Sequence, residues 1–211
     1  AVTVMLAAKK AGVKRLVYAS SAAVYGNTRQ LPVAETVQPH PQSPYALHKL
    51  WNEQYGQYLT ASEGFQTIGL RYFNVFGPRQ DPYSPYSGVI SLCHKHLMAK
   101  TEFTVCGDGE QTRDFVSVYD VAAANLLATT AGIPGAVYNI ATGVETSLND
   151  LIRTLETAFQ ETLMCTTAPE RTGDITRSCA SIKKAAAELG YTPRYSVAAA
   201  IADLCNKYRL T

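Results

Sequence analysis

The sequence predicts an α/β fold built on a parallel β-sheet. Short apolar segments alternate with helical segments, and every pair of successive strands is separated by enough chain to hold a helix. Such alternation implies right-handed βαβ units rather than hairpins. The chain of 211 residues is 46% hydrophobic and 17% charged. This composition is typical of a globular protein with a sizeable core.

The first half of the chain contains two predicted helices and two predicted strands. In order, the elements are a helix over 1–11, a strand over 13–20, a loop over 21–44, a helix over 45–62, a strand over 65–73 and a loop over 74–86. Gly12 and Gly64 follow the two helices, where a glycine commonly ends a helix. The strands are rich in apolar and aromatic residues, as in a sheet covered on both faces.

The second half of the chain is predicted to contain more helix than strand. In order, the elements are a helix over 88–100, a strand over 103–106, a turn over 107–112, a helix over 118–131, a strand over 136–140, and helices over 147–159, 181–189 and 196–208. Ser147 and Asp150 have the spacing of a capping box at the start of one helix. Gly190 and Pro193 separate the last two helices.

Composition excludes several classes of function. Lys plus Arg total 19 and Asp plus Glu total 17, so a broad nucleic-acid-binding surface is not expected. We find no signal peptide and no apolar stretch of about 18 residues, and we therefore expect a cytoplasmic protein that does not enter membranes. Five scattered cysteines without a C-x-x-C pair predict reduced thiols and no metal. His94 and His96 point in different directions on a helix, so a metal pair is not expected.

Two short patterns could carry chemistry. Tyr45 and Lys49 lie one helical turn apart, so the ammonium can approach the phenol. A free tyrosine has a pKa near 10, and a base at neutral pH needs nearby positive charge to stabilise the phenolate. Ser21 follows a predicted parallel strand, where α/β folds bind ligands. Taken alone, the first pattern is more often a surface pair, and the second is also consistent with a simple turn.

The motifs together carry a family resemblance. They are SSAAVYG (20–26), SPYALHK (43–49), LRYFNVFGPRQ (70–80), GDGEQTRDF (107–115) and RTGD (171–174). In this order the sequence resembles the extended short-chain dehydrogenase/reductase family, and in particular its nucleotide-sugar epimerases. The resemblance implies NAD as cofactor and a partial Rossmann-type parallel sheet with a smaller α/β substrate-binding lobe.

The resemblance also implies roles for individual residues. Tyr45 would be the acid/base, Lys49 would lower the pKa of its phenol and bind the cofactor ribose, and Ser21 would complete the triad. Further cofactor contacts are implied for Ser20, Tyr72 and Phe73. Substrate contacts are implied for Ser21, Asn74, Arg113, Arg171, Asp174 and Ser178. Arginine suits a diphosphate because it binds in bidentate fashion. The alternative for Arg113 is a surface ion pair with Asp114.

The sequence departs from complete members of the family at its start. It begins inside a helical pattern, without an initiator Met and without a glycine-rich pyrophosphate loop. We therefore expect an N-terminally truncated chain that lacks strands of the sheet and binds NAD poorly by itself. By resemblance, residues 1–75 belong to the NAD-binding domain, with 115–141 returning to it. Residues 76–114 and 142–211 would form the nucleotide-sugar lobe.

The resemblance favours one reaction within the family. The 4,6-dehydratases carry an acidic pair where this chain has Ala22 and Ala23, so C4 epimerisation of a UDP-hexose is preferred. Ser178 stands where a bulky aromatic residue would exclude an N-acetyl group, which favours UDP-N-acetylglucosamine and its galacto epimer among the substrates. The alternatives are another nucleotide-sugar epimerase or reductase, or an inactive homologue that only binds a nucleotide sugar.

A homodimer is implied by the same resemblance. In the family, helices corresponding to 1–11 and 45–62 form a four-helix bundle between two subunits. From the residues alone, the aromatic and apolar side chains on the second helix are expected to pack against other helices rather than bind a ligand. These side chains are Trp51, Tyr55, Tyr58 and Leu59.

Overall fold

The computed structural model describes residues 1–84, 88–170 and 174–209. The helices are α1 Val2–Lys10, α2 Pro44–Glu63, α3 Val89–Ala99, α4 Val118–Thr130, α5 Leu148–Phe159, α6 Lys183–Leu189 and α7 Val197–Arg209, with a 3-10 helix at Ala22–Tyr25. The strands are β1 Arg15–Ser21, β2 Gln66–Tyr72, β3 Asn74–Phe76, β4 Phe103–Cys106, β5 Thr112–Arg113, β6 Phe115–Ser117, β7 Val137–Ile140, β8 Thr146–Ser147 and β9 Cys165–Ala168.

The main sheet is parallel, as predicted. Its strand order is β1-β2-β7, and both pairings are parallel. Ser21 pairs in register with Tyr72, and Tyr72 pairs with Ile140. The carboxyl ends of the three strands therefore meet at one edge of the sheet. Ligands bind at such an edge in α/β folds.

Three further pairs of short strands lie outside the main sheet. β3 pairs with β6 and β4 with β9 in parallel, whereas β5 and β8 are antiparallel. The prediction of a loop from residue 74 was wrong at its start, because Asn74–Phe76 is a strand. β5, β6, β8 and β9 were also missed. These strands have two to four residues each and are formed by pairing with distant segments, which local patterns do not show.

Two large clusters of buried side chains support the fold. One packs β2 and β7 against α4 and α6 and includes Leu70 and Tyr138. The other joins α3, α5 and α7 to β4 and includes Leu155 and Ile201. The predicted cap of α5 is confirmed: Ser147 Oγ accepts from the Asp150 amide at 3.0 Å and donates to Asp150 Oδ2 at 2.7 Å.

The aromatic side chains of α2 are only partly covered by the rest of the chain. Leu59 is fully buried, as predicted, but Trp51 is 61% exposed and Tyr58 is 54% exposed. Leu47 of α2 and Val4 of α1 are exposed as well. The two helices are in contact, and we call their exposed apolar side chains together the α1–α2 face. The sequence placed Trp51 and Tyr58 on this helix but could not show whether anything in the chain covers them.

The described parts of the chain contain neither a membrane-spanning helix nor a metal-binding cluster. No helix there is long and apolar enough to cross a membrane. No group of three or more His, Cys, Asp and Glu side chains could hold a metal ion in the ranges 1–84, 88–170 and 174–209.

Candidate active site

Ser21 ends strand β1 and begins the turn that follows. Its Oγ accepts a hydrogen bond from the Ala23 amide at 3.2 Å, which caps the 3-10 helix. Gly26 ends this helix at φ 62° and ψ −146°, a conformation that is essentially restricted to glycine. The turn therefore leaves the Ser21 hydroxyl at the carboxyl edge of the sheet, with its proton available to a ligand.

Tyr45 and Lys49 lie in the first turns of α2. Ser43 caps this helix, since its Oγ accepts from the Ala46 amide at 3.1 Å. Lys49 Nζ lies 5.5 Å from the centroid of the Tyr45 ring and donates to the Ala19 carbonyl at 3.0 Å. Because Ala19 is two residues before Ser21, the lysine holds the start of α2 against the end of β1. Tyr45 itself is 52% exposed.

Two adjoining cavities lie beside this edge, and we call them together the cleft. The first has a volume of about 220 Å³ and the second about 480 Å³. Both are lined by Asn74 and Arg113. The first is also lined by the predicted residues Ser21, Tyr72, Phe73 and Ser178, and the second by Asp174. The structure thus brings these seven residues to one cleft, although Tyr45 and Lys49 do not line either cavity.

Arg113 has the properties of an anion-binding side chain. Burial lowers the pKa of its guanidinium, and only the charge of Asp174 opposes this effect. Its Nη1 donates to its neighbour's carbonyl, Thr112 O, at 2.8 Å. Among the described residues, no carboxylate lies within salt-bridge distance of it. A partly buried cation in this state can still bind a phosphate.

The alternative of a surface ion pair between Arg113 and Asp114 was wrong. Asp114 is fully buried and accepts hydrogen bonds from three backbone amides, those of Thr142, Gly143 and Ala180, at 2.8–3.2 Å. It also accepts from the Thr142 hydroxyl at 2.7 Å. Burial raises the pKa of Asp114, and these four donors counteract the effect. The carboxylate therefore anchors the segment that carries Ser178, while Arg113 remains available to a ligand.

The other residues predicted to contact the cofactor or the substrate differ in burial and in hydrogen bonding. Phe73 is buried, and the Tyr72 hydroxyl donates to Asn125 Oδ1 at 2.9 Å. Burial raises the pKa of Tyr72, so this phenol is suited to form a wall and not to act as a base. The prediction for Ser20 needs correction, because its side chain is buried and its hydroxyl donates to Glu53. Arg171 lies outside the described residues.

Sequence reasoning missed two features of the site. Arg177 lines the first cavity beside Ser178 and makes a bidentate ion pair with Glu145, at 2.7 and 3.0 Å. No local pattern distinguishes it from a surface arginine. The second feature is a buried ion pair between Glu53 and Arg71. Glu53 follows Lys49 by one helical turn, as Lys49 follows Tyr45, and this spacing was visible in the sequence.

Comparison with known proteins identifies the family of this chain. Residues 1–141 match the family described as "NAD dependent epimerase/dehydratase family". The chain belongs to this family. A putative UDP-glucose 4-epimerase of Methanocaldococcus jannaschii is 37% identical over 199 residues, which are 94% of this chain and 64% of the relative. The chain thus spans slightly under two thirds of the length of that relative.

Solved structures show the same similarity. A UDP-N-acetylglucosamine 4-epimerase from Methanobrevibacter ruminantium, in complex with UDP-N-acetylmuramic acid, is 32% identical with a TM-score of 0.93, covering 99% of this chain and 67% of that one. A UDP-glucose 4-epimerase from Thermus thermophilus, in complex with NAD, is 32% identical with a TM-score of 0.87, covering 97% and 67%. The predicted α/β, Rossmann-like fold is confirmed.

The described residues suit one end of NAD, the cofactor of the family. Lys49 donates one hydrogen bond to Ala19, and its ammonium has two further donors for ribose hydroxyls. Tyr72 and Phe73 give the cleft an aromatic wall that a nicotinamide ring can contact. A glycine-rich turn leading into a helix, which would hold the pyrophosphate, is not found in the parts of the chain that the structure describes. Of the cofactor, the described residues could therefore hold the nicotinamide end.

Proposed function

We propose that the protein is an NAD-dependent epimerase that inverts C4 of a UDP-hexose, with UDP-N-acetylglucosamine and UDP-N-acetylgalactosamine among its substrates. The observation that carries the proposal is the arrangement at the carboxyl edge of the sheet. There Lys49 links the Tyr45 ring to the strand that ends at Ser21, and Ser21 shares a cavity with the partly buried Arg113.

In this mechanism Tyr45 and Ser21 act on the same sugar oxygen. Tyr45, as its phenolate, accepts the proton of the C4 hydroxyl, and the positive charge of Lys49 stabilises the phenolate. The Ser21 hydroxyl donates to the same oxygen and orients it. NAD, when bound, supplies the oxidation by taking up the C4 hydride and returning it. Tyr45 gives its proton back to the same oxygen, and the epimer would form when the hydride returned to the opposite face of the 4-keto sugar.

The substrate must be held by its nucleotide so that the sugar can turn over. Arg113, Asn74 and the predicted Arg171 bind the diphosphate, and Asp174 binds the nucleotide ribose. Arg113 and Asp174 line the second cavity, which is roughly twice as large as the first. Beside Ser21 the first cavity is lined by Ala22 and Ala23, and its Arg177 is already paired with Glu145. Few groups there would hold the sugar, which permits rotation of a 4-keto sugar between the two hydride transfers.

The lining of the first cavity, where the sugar would lie, also argues against dehydration. Ala22 and Ala23 line the first cavity, in the place where a 4,6-dehydratase carries acidic side chains. Without a carboxyl group there, the site lacks a proton donor for the departing hydroxyl. Oxidation and reduction at one carbon remain possible, which is epimerisation.

Ser178 supports a substrate range that includes N-acetylated sugars. Its small side chain lines the first cavity, so it leaves space that a bulky aromatic residue would fill. One structural neighbour of the chain acts on UDP-N-acetylglucosamine. The test is a panel of nucleotide sugars incubated with the full protein and NAD, with C4 epimers separated by chromatography. Conversion of UDP-N-acetylglucosamine and UDP-glucose is expected; binding without conversion of any member would contradict the function.

We also propose the domain division and a homodimer. Residues 1–75, joined by 115–141, form the cofactor domain, and 76–114 with 142–211 form the substrate lobe, so the cleft takes residues from both. The exposed α1–α2 face supports dimerisation, because burying apolar side chains such as Trp51 in an interface would stabilise a dimer. Trp51→Glu should convert a dimer to a monomer in light scattering, and a monomeric wild type would contradict this part of the proposal.

A further inference from the structure

A row of buried polar side chains crosses the main sheet just below its carboxyl edge. Ser20, Arg71 and Asn139 are register partners on β1, β2 and β7, and each is at most 3% exposed. Register partners point to the same face of a sheet, so these three side chains are neighbours. The row lies one residue before the edge at which Ser21 and Tyr72 line the cleft.

Glu53 connects this row to the helix that carries Tyr45 and Lys49. Its carboxylate accepts two hydrogen bonds from Arg71, from Nε at 2.9 Å and from Nη2 at 2.6 Å, and a third from the Ser20 hydroxyl. Because Glu53 is one helical turn beyond Lys49, its carboxylate and the Lys49 ammonium extend from the same side of α2. Lys49 binds the backbone of β1, so the helix is attached to the sheet at two successive turns.

Arg71 also holds the turn that follows Ser21. Its Nη1 donates to the Tyr25 hydroxyl at 2.8 Å, and its guanidinium lies 4.7 Å from the centroid of the Tyr25 ring. The Tyr25 hydroxyl donates in turn to Asn139 Oδ1 at 2.7 Å. One guanidinium therefore connects α2, β2 and the 3-10 helix. These three elements carry Tyr45, Tyr72 and the cap formed by Ser21.

Stability alone does not explain this arrangement. Burying two charges is costly, and apolar residues of similar volume often stabilise a protein as well or better. A bidentate ion pair differs from an apolar contact because it fixes the distance and the orientation of its two partners. Although burial alone would lower the pKa of Arg71, its hydrogen bonds and charge attraction to Glu53 and Tyr25 raise it above its usual value. The guanidinium thus stays charged, and the pair keeps its geometry.

We propose that Glu53 and Arg71 are positioning residues for the epimerisation: their buried ion pair sets the place of Tyr45 and Lys49 on α2 relative to Ser21. This inference rests on the proposed function. Neither residue lines the cleft. Their effect is exerted through the helix and the turn, and a displacement of about 1 Å at the reacting groups can slow a reaction about 100-fold.

The test is Glu53→Gln in the full protein, with Glu63→Gln as the matched control. Glu63 is on the same helix and loses the same charge, but its ion pair with Lys9 is exposed. For Glu53→Gln, kcat should fall about 10- to 100-fold while KM for UDP-glucose changes less than about threefold. Glu63→Gln should keep kcat within about twofold of wild type.

Destabilisation is separated from positioning by a second variant. Glu53→Leu combined with Arg71→Met removes both charges and should fold, because no unpaired charge remains in the core. We expect it to melt near the wild-type temperature and to retain the low kcat of Glu53→Gln. A wild-type kcat in either variant would overturn the inference. If the wild type epimerises no UDP-sugar, the proposed function itself fails, which is a different result from an active wild type with equally active variants.

Discussion

Replacing Arg113 with methionine should weaken nucleotide binding without destabilising the ligand-free protein. The guanidinium is partly buried, its pKa is lowered by burial, and its hydrogen bond within the described residues goes to the Thr112 carbonyl. Methionine keeps much of the apolar stem and removes a charge that has no carboxylate within salt-bridge distance in the described ranges. We therefore expect the free energy of unfolding to change by less than about 0.5 kcal/mol, or to increase.

The expected loss of binding is larger. A hydrogen bond to a charged group contributes about 1.5–3 kcal/mol, so Kd for UDP should rise about 10- to 150-fold. UDP at 100 times the wild-type Kd stabilises the wild type by about 2.7 kcal/mol. The same concentration should stabilise the variant by about 1.4 kcal/mol if Kd rises tenfold and by about 0.4 kcal/mol if it rises 100-fold.

Urea unfolding with and without UDP measures both quantities in one series, and calorimetric titration gives Kd directly. Arg153→Met is the matched control, because Arg153 makes an exposed ion pair with Asp150 on α5, away from the cleft. It should leave UDP binding unchanged and cost less than about 1 kcal/mol. The reasoning is refuted if Arg113→Met binds UDP like wild type, or if it destabilises the ligand-free protein by more than about 1.5 kcal/mol.

Three further predictions concern separate parts of the structure. A Cβ on Gly26 would lie 2.2 Å from the His40 carbonyl oxygen, so Gly26→Ala should lower the free energy of unfolding by about 2–4 kcal/mol. The control is Gly64→Ala, at a positive φ with nothing within 4 Å, which should lower it by about 1 kcal/mol. Equal losses in urea unfolding would contradict this. Ser178→Tyr should abolish conversion of UDP-N-acetylglucosamine and preserve conversion of UDP-glucose, and parallel loss of both would count against the proposed gate. Burial lowers the pKa of His94, so the folded protein favours the neutral ring. The contribution of this ring to the stability of the fold is therefore fully present above about pH 6.5 and is lost as the pH falls. His94→Phe should reduce the drop in Tm between pH 7 and pH 5, and an unchanged drop would show that the ring does not contribute.

The sequence predicted those parts of the fold that depend on local interactions. Ser147 and Asp150 cap α5 as their spacing indicated, and helices α2 and α4 lie close to their predicted ranges. β3 and β9 were missed because a strand of three or four residues gains its stability from a partner that is distant in the chain. Tertiary pairing, not propensity, determines such segments.

The candidate site also divides into residues that local motifs predicted and residues whose partners only the tertiary structure shows. Ser21, Asn74 and Arg113 were predicted from motifs and line the cleft, because strand ends place them there. Ser20 was assigned to the cofactor, but side chains alternate along a strand, and its hydroxyl points to Glu53 in the buried row. The importance of Glu53 depends on its ion pair with Arg71. Arg71 lies on a strand, so helical spacing alone cannot reveal this pair.

The most direct test of the account is the rate of C4 epimerisation by Tyr45→Phe. Its control is Tyr55→Phe, which loses the same hydroxyl from the same helix, on a side chain that packs against a core cluster. We expect Tyr45→Phe to fold, to bind UDP within about twofold of wild type and to interconvert UDP-glucose and UDP-galactose about 100- to 10,000-fold more slowly, the range lost with a general acid/base. Epimerisation by Tyr45→Phe at a rate close to that of Tyr55→Phe would contradict the central claim.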